Sequence, residues 1–299
     1  WAGVSRATNQ WQALSGKPTV IAPHGALDAW ALRRSIWKKR LALFLYQRKN
    51  LHEASCLHAL STREAEGFRA FGLRNPIAVI PNGISETWLL STGDPSAFRH
   101  RFGLPEETRV LLFLGRITPI KGLPKLVRAM SMLKQRLGDW KLVIAGVDEF
   151  NHRKEVESLV EQLAMERHVQ FVGPLYDQDK QDAFAAADLF VLPSFSEGAP
   201  MTILEALGAS VPVLTTKASP WEELVIQACG WWTEISEDAV AEALENAIQK
   251  SREELYRMGQ RGRALVAERY TWRQVAEQTV ALYNWLLRRG EQPNSVMID

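Results

Sequence analysis

Cysteine and long apolar runs are what this chain has least of. It holds 2 cysteines in 299 residues. Cys56 and Cys229 stand alone, in no CxxC or Cys/His pattern, which excludes a disulfide framework and a zinc module and fits a reducing compartment. No apolar run reaches the ~18 residues of a membrane-spanning helix. Excess charge of one sign is also lacking. Lys and Arg number 36 against 34 Asp and Glu, and a net charge of +2 does not suit a general nucleic-acid binder. There is no GxxxxGK[ST], HExxH or GxSxG, which argues against a P-loop NTPase, a zinc protease and an α/β-hydrolase. Internal repeats and low-complexity tracts are missing too. A hydrophobic content of 46% is ample for a packed core and rules out a mainly disordered chain. The length allows one large domain or two of ordinary size. The chain starts at Trp1 and no signal peptide precedes its first strand, so it is read as processed or as a piece of something longer.

The charge is unevenly placed. Residues 1–92 carry 12 basic and 5 acidic side chains, whereas residues 93–299 carry 24 and 29. Such a shift suggests two bodies with different partners. The PNGI turn at Pro81–Ile84 and the polar STGDPS at Ser91–Ser96 supply the turn residues of a seam. The expected division is 1–92, 93–271, and a C-terminal helix with its tail at 272–299 that returns to the first body.

The second body alternates strand and helix. Apolar runs at 110–115, 141–146, 169–173, 188–193 and 211–216 are separated by helical patterns at 122–137, 152–166, 178–187 and 200–208. Trp231–Trp232 reads as a late strand. Continuous apolar strands alternating with helices imply a parallel sheet covered on both faces, with right-handed connections and ligands beyond the strand carboxyl ends. The first body shows the same alternation in shorter form: strands at 19–23, 55–60 and 77–80, helices at 35–53 and 62–71. That is about half of a Rossmann-type sheet, and a half sheet leaves an edge uncovered. The reading is that upstream strands belong to it. The fold class expected is α/β, with two Rossmann-like parallel-sheet domains, the first incomplete.

Two segments at strand carboxyl ends carry chemistry. In GRITPIKG (Gly115–Gly122), Arg116 follows a strand and Lys121 sits where the next helix begins. Two cations beside a helix N-terminus suit a polyanion, the arginine as a planar fork and the lysine as a point charge. A solvated Arg and Lys on a loop is the alternative. In SFSEGAPMTILEALGASVPVL (Ser194–Leu214), a Gly-containing loop leads to Pro200 in the first turn of a helix. Glu197 lies on the loop and Glu205 about one and a half turns into the helix. Carboxylates beside a phosphate site bind hydroxyls, as the acidic residue of dinucleotide folds holds ribose. Sugar, ribose and diphosphate together make a nucleotide sugar. An exposed loop Glu and an ordinary helix-face Glu remain the alternative from the residues alone. PHGALDAW offers His24 after a strand end, with Gly25 allowing close backbone approach. A lone histidine there is more often structural.

The ordered set PHGALDAW, STREAE, IPNGI, GRITPIKG, FVGPL, SFSEGAPMTILEA and RYTW resembles the glycosyltransferases of family 4 (group 1), with the two-domain GT-B fold and its facing cleft. The likeness covers almost the whole chain. The family's N-terminal Gly-rich loop has no counterpart here, and the start of the N-terminal domain is read as lacking. The resemblance implies that Arg116 and Lys121 neutralise the donor diphosphate. It implies that Glu197 contacts the transferred sugar and that Glu205 holds the ribose. By the same resemblance, backbone at Gly198, Ala199, Pro200, Met201 and Thr202 lies against sugar and phosphates, Val172 and Gly173 lie near the base, and His24 positions the sugar from the acceptor side. It implies retention of anomeric configuration and no required metal or other cofactor.

Other signals rank lower. Asp177–Gln178–Asp179 spells the metal-holding Asp-x-Asp of another glycosyltransferase fold, but just before a helix it reads as an N-cap. Residues 29–52 hold Arg33, Arg34, Lys38, Lys39, Arg40, Arg48 and Lys49 with no acid. At about 100° per residue these charges keep to no one face, so a half-buried helix is preferred to a membrane-surface one. Peripheral contact with an anionic membrane is the secondary reading. Trp30 and Trp37 are the tryptophans placed near an acceptor. The resulting expectation is a cytoplasmic retaining glycosyltransferase that moves a hexose-type sugar from a UDP- or GDP-type donor to a saccharide or lipid-linked acceptor. The competing readings are a nucleotide-sugar-binding module without turnover and, more weakly, a nucleotide-sugar epimerase.

Overall fold

The computed structural model describes residues 3–25, 48–90 and 93–298. The chain divides into two compact units, Trp1–Gly83 with Trp272–Asp299, and Ile84–Thr271. The seam therefore falls inside the PNGI turn and not at 92–93. The reason is packing: Ile84 is buried in the core of the second unit, its N–H donates to Tyr270 O at 2.8 Å, and Trp88 meets the edge of Phe184 at 5.7 Å.

The first unit opens with α1 (Gly3–Ser15), a helix not read from the sequence, followed by β1 (Val20–Ile21). After residues 26–47 come α2 (Arg48–Glu53), β2 (Cys56–Ala59), α3 (Thr62–Ala70) and β3 (Ile77–Val79). Most of the basic stretch, with Trp30 and Trp37, lies outside the described residues. Two polar residues fix the local turns. The Ser61 hydroxyl caps α3 by accepting the Glu64 N–H. Buried Asn75 donates from Nδ2 to the carbonyls of Leu51, His52 and Ala54, which answers the open carbonyls at the end of α2.

The second unit runs α4 (Pro95–Phe102), β4 (Arg109–Leu114), α5 (Leu123–Met132), β5 (Trp140–Ala145), α6 (His152–Gln162), β6 (Val169–Gly173) and α7 (Asp177–Ala186). It continues with β7 (Leu189–Leu192), α8 (Met201–Gly208), β8 (Val213–Thr216), α9 (Glu223–Ile226), β9 (Gly230–Thr233), α10 (Glu237–Ile248) and α11 (Arg252–Arg269). The helices announce themselves chemically. Asp94 caps α4 with Pro95 next to it, Ser236 caps α10, and Ser251 with Glu254 closes a capping box on α11. The six strands are all parallel, in the order β6-β5-β4-β7-β8-β9. Numbered within the unit this is 3-2-1-4-5-6, the Rossmann order, whose reversal between β4 and β7 marks the ligand crevice. The middle strands are buried almost throughout, as expected of a sheet covered on both faces.

The chain then returns to the first unit as α12 (Trp272–Leu286) and β10 (Val296–Met297). Val275 and Leu282 of α12 pack with Cys56, Ala78, Ile80 and Val296. The first sheet has the order β1-β2-β3-β10, with β10 antiparallel to β3 through Val296 opposite Ala78. The sequence reading placed no strand in this tail, yet it supplies one that pairs with an edge of this sheet. Both cysteines are buried, and that burial pushes each thiol up to about 11. They are thus poor nucleophiles at neutral pH.

A helix contact at the back of the second unit gives a direct test of packing. A methyl group at Gly259 of α11 would lie 1.7 Å from Ser210 O, just beyond α8. Gly259→Ala is expected to cost about 1–3 kcal/mol through overpacking. The urea midpoint of the second unit should fall accordingly, and an unchanged midpoint would refute this contact.

Candidate functional site

The carboxyl ends of four adjacent strands, β6, β5, β4 and β7, carry most of the candidate residues. Beyond their regular pairing the exits of β4 and β5 stay zipped. Gly115 N–H donates to Ala145 O at 3.0 Å, Ile117 N–H to Val147 O at 2.8 Å, and Glu149 N–H to Ile117 O at 3.1 Å. This register puts Arg116 opposite Glu149. Nη1 of Arg116 lies 3.0 and 2.9 Å from the two Glu149 carboxylate oxygens. Arg116 is otherwise well exposed, at 63% of its side chain.

Lys121 closes a 3-10 turn, Pro119–Lys121, and Gly122 then turns the chain into α5. Glycine is required there on two counts. Its φ is +73°, and a Cβ would sit 2.2 Å from Pro193 O at the exit of β7. Phe195 N–H donates to Ile120 O at 2.8 Å and ties the same two exits together. Lys121 Nζ thereby meets Glu197 Oε1 at 2.5 Å, and Ser194 Oγ donates to that oxygen, also at 2.5 Å. Lys121 and Glu197 are largely buried, at 14% and 10% side-chain exposure. Behind them Lys125 donates to Ile235 O at 2.8 Å and lies 4.1 Å over the Phe195 ring. Burial lowers the pKa of Lys125, opposed by the nearby Glu237 charge.

Pro200 stands at the N-cap of α8, one position earlier than the sequence reading placed it, and no side chain caps this helix. Met201 and Thr202 open the first turn and are half-buried, Ala199 likewise, while Gly198 is exposed. A Cβ on Gly198 would meet nothing within 4 Å, so the packing of the loop does not itself require glycine there. Glu205 is buried in α8, and its Oε1 accepts from Lys180 Nζ at 2.6 Å. Among the described residues its Oε2 has no hydrogen-bond partner although it is buried, and the same holds for Thr118 Oγ1 in the β4 exit loop. Val172 and Gly173 end β6, Gly173 with φ +80° and its carbonyl accepting from Gly146 N–H at 2.9 Å.

The structure thus joins Lys121 to Glu197 directly and sets Arg116, Val172 and Gly173 at the same ends of the same sheet. His24 belongs to the first unit. There it sits at φ +48° after β1, with its ring centroid 6.3 Å from that of His58. The turn is held by Glu64, which accepts Gly25 N–H and Leu60 N–H, both at 2.7 Å. Glu64, Glu149, Lys180, Ser194 and Thr118 were not singled out from sequence. Glu64 lies within STREAE, Thr118 within GRITPIKG and Ser194 at the start of SFSEGAPMTILEA, so a motif was the available signal for those three. One reading is corrected. Asp177 and Asp179 do not cap α7 by side-chain bonds: the N-cap is Tyr176, Asp177 and Asp179 lie in the first turn, and Asp179 pairs with Arg101 at 2.7 Å. Acids there favour the helix dipole instead.

A largely buried Lys–Glu pair and an exposed Arg–Glu pair thus stand around the Rossmann switch point. The family model described as "Glycosyl transferases group 1" matches residues 95–265, more than half of the chain and nearly all of the second unit. The chain belongs to the group 1 glycosyl transferases. A second model, "Glycosyl transferase 4-like domain", matches residues 2–83. Among relatives of this group 1 chain, a GDP-mannose-dependent monoacylated alpha-(1-6)-phosphatidylinositol monomannoside mannosyltransferase of Corynebacterium glutamicum is 28% identical. That match covers 70% of this chain and 56% of the relative. A lipopolysaccharide 1,2-N-acetylglucosaminetransferase of Salmonella typhimurium is 27% identical over 70% of this chain and 57% of its own length. The chain thus spans little more than half of these curated relatives. The HepE protein of Anabaena, solved in complex with UDP, superposes with a TM-score of 0.80 at 22% identity, covering 94% of this chain and 76% of that one. That likeness shows the fold, which is GT-B: two Rossmann-like units on one chain.

The Arg116–Glu149 pair is open to a direct test. An anion that takes Arg116 competes with Glu149. Glu149→Gln should therefore strengthen binding of inorganic pyrophosphate by about 0.2–1 kcal/mol, the range of exposed ion pairs. Calorimetric titration of both proteins at low salt checks this, and weaker binding by the variant would contradict it.

Proposed function

We propose that this chain is a retaining glycosyltransferase that moves a hexose-type sugar from a nucleotide-diphosphate sugar to a saccharide or lipid-linked acceptor in polysaccharide or glycoconjugate synthesis. The observation that carries this reading is the grouping of Arg116, Lys121 and the uncapped α8 N-terminus at the switch point of a Rossmann sheet. The named activities of the two relatives and the UDP in the Anabaena protein support a nucleotide-linked donor.

The division of labour follows from charge. Arg116 offers a planar fork and Lys121 a point charge to the two phosphates. Backbone N–H groups of Gly198, Ala199, Met201 and Thr202 and the α8 dipole add to them. Glu197 exchanges Lys121 for hydroxyls of the transferred sugar. The buried Oε2 of Glu205 accepts from ribose. Val172 and Gly173 lie beside the base, and His24 acts from the acceptor side. In the reaction the acceptor hydroxyl attacks the anomeric carbon on the face from which the diphosphate leaves. The C–O bond to the phosphate breaks, the new glycosidic bond forms, and the acceptor proton passes to the leaving phosphate oxygen. Negative charge grows on that oxygen, so fixed cations and N–H donors lower the barrier. These groups supply the positive charge in this scheme, and no metal is assigned a part. A lipid-linked acceptor would bring the chain to the cytoplasmic face of a membrane as a peripheral protein. No described helix is long and apolar enough to cross one.

The test is release of free UDP or GDP from UDP-glucose, UDP-N-acetylglucosamine and GDP-mannose, with and without a panel of saccharide acceptors. The expected result is acceptor-dependent release with the anomeric configuration kept in the product. Lys121→Ala should lower kcat about 10²–10³-fold, as for removal of one transition-state donor. Binding of donor with no acceptor-dependent release would identify a binding module, and sugar isomerisation with the nucleotide still attached would identify an epimerase.

A further inference from the structure

Lys180 sits on the fourth residue of α7, outside every motif that suggested chemistry. Its ammonium lies 2.6 Å from Glu205 Oε1 and 5.6 Å from the centroid of the Trp88 ring. Trp88 is itself fixed by its edge contact with Phe184 and by the approach of Gly208 to its Cβ. The lysine is therefore bracketed between a carboxylate and an indole, with 21% of its side chain exposed. Two acids of its own helix are engaged elsewhere. Asp179 pairs with Arg101, and Asp182 accepts from Gln178 Nε2 and from the Asp94 N–H. Glu205 is the carboxylate that the Lys180 ammonium meets, and the pair joins α7 to α8.

The consequence falls on the other oxygen of Glu205. With Oε1 committed to Lys180, Oε2 remains a buried acceptor with no donor among the described residues. Native structures rarely leave such an atom unanswered, and a buried unanswered acceptor is costly unless a ligand supplies its donor. We propose that Lys180 is a positioning residue: it holds the Glu205 carboxylate oriented so that Oε2 accepts from the ribose hydroxyls of a nucleoside diphosphate. This rests on the nucleotide-sugar reading above and adds to it a residue that selects ribose.

The experiment separates orientation from mere support. Wild type, Lys180→Met and Lys180→Arg are titrated with UDP, GDP and their 2′,3′-dideoxy counterparts, which lack both hydroxyls. A hydrogen bond to a charged group predicts that wild type prefers the ribose form about 10–100-fold. In Lys180→Met that preference should fall below about 3-fold while affinity for the dideoxy form stays near wild type, and Lys180→Arg should keep most of it. Lys180→Gln serves as the uncharged variant if the methionine one does not fold. The proposal is overturned if an uncharged variant keeps the full preference, or if ribose and dideoxy forms weaken equally, as a merely structural role requires. It is also overturned if wild type binds nucleotides with no ribose preference. Failure of wild type to bind either nucleoside diphosphate would bring down the nucleotide-sugar reading itself, which is a different outcome.

Discussion

Parallel pairing of β7, β4 and β5 is the constraint on which the site depends. A parallel sheet sends all its strands out on one side, so loops far apart in sequence finish next to one another. Arg116 leaves β4, Glu149 follows β5, and Ser194 to Glu197 follow β7. The close seating of Gly122 against Pro193 O and the bond from Phe195 N–H to Ile120 O convert adjacency into fixed distance. Lys121 and Glu197, separated by 76 positions in the chain, meet at 2.5 Å because of it.

Charge pairing is the second theme of the site. Arg116 holds Glu149, Lys121 holds Glu197, and Lys180 holds Glu205. The pairs differ in burial, and so in consequence. The exposed Arg116 pair is screened and easily exchanged, worth about 1 kcal/mol or less. The Lys121–Glu197 pair is largely buried, so removing one partner leaves an uncompensated charge at a cost of about 3–5 kcal/mol. In the function proposed above, an incoming diphosphate takes over both cations while Glu197 turns to hydroxyl donors. A ligand that carries sugar and diphosphate together would answer both demands, and a bare phosphate only one.

Local pattern made much of this legible in advance. The strand-loop-helix punctuation around 110–122 and 188–208 located β4, α5, β7 and α8, and with them Arg116, Lys121, Glu197 and Glu205. Rossmann alternation followed from apolar strands without a polar face. What sequence did not show were partners set by tertiary neighbours. Nothing near Glu149 or Lys180 in the chain distinguishes them from surface charges, because each meets its partner through sheet order or helix packing. The two-residue strand Val296–Met297 is too short to carry a period, and its pairing with β3 arises only after α12 has brought the tail back. Asp177 misled because an acid at a helix start suits both a capping bond and the dipole, and here the second prevails.

Titration of the chain with UDP and with GDP, followed by tryptophan fluorescence beside a Lys121→Ala control, tests the central claim most directly. The account predicts saturable binding of one nucleotide that is lost or strongly weakened in the control. Binding of neither, or binding that survives loss of Lys121 unchanged, would contradict a diphosphate site at the β4–β7 switch point.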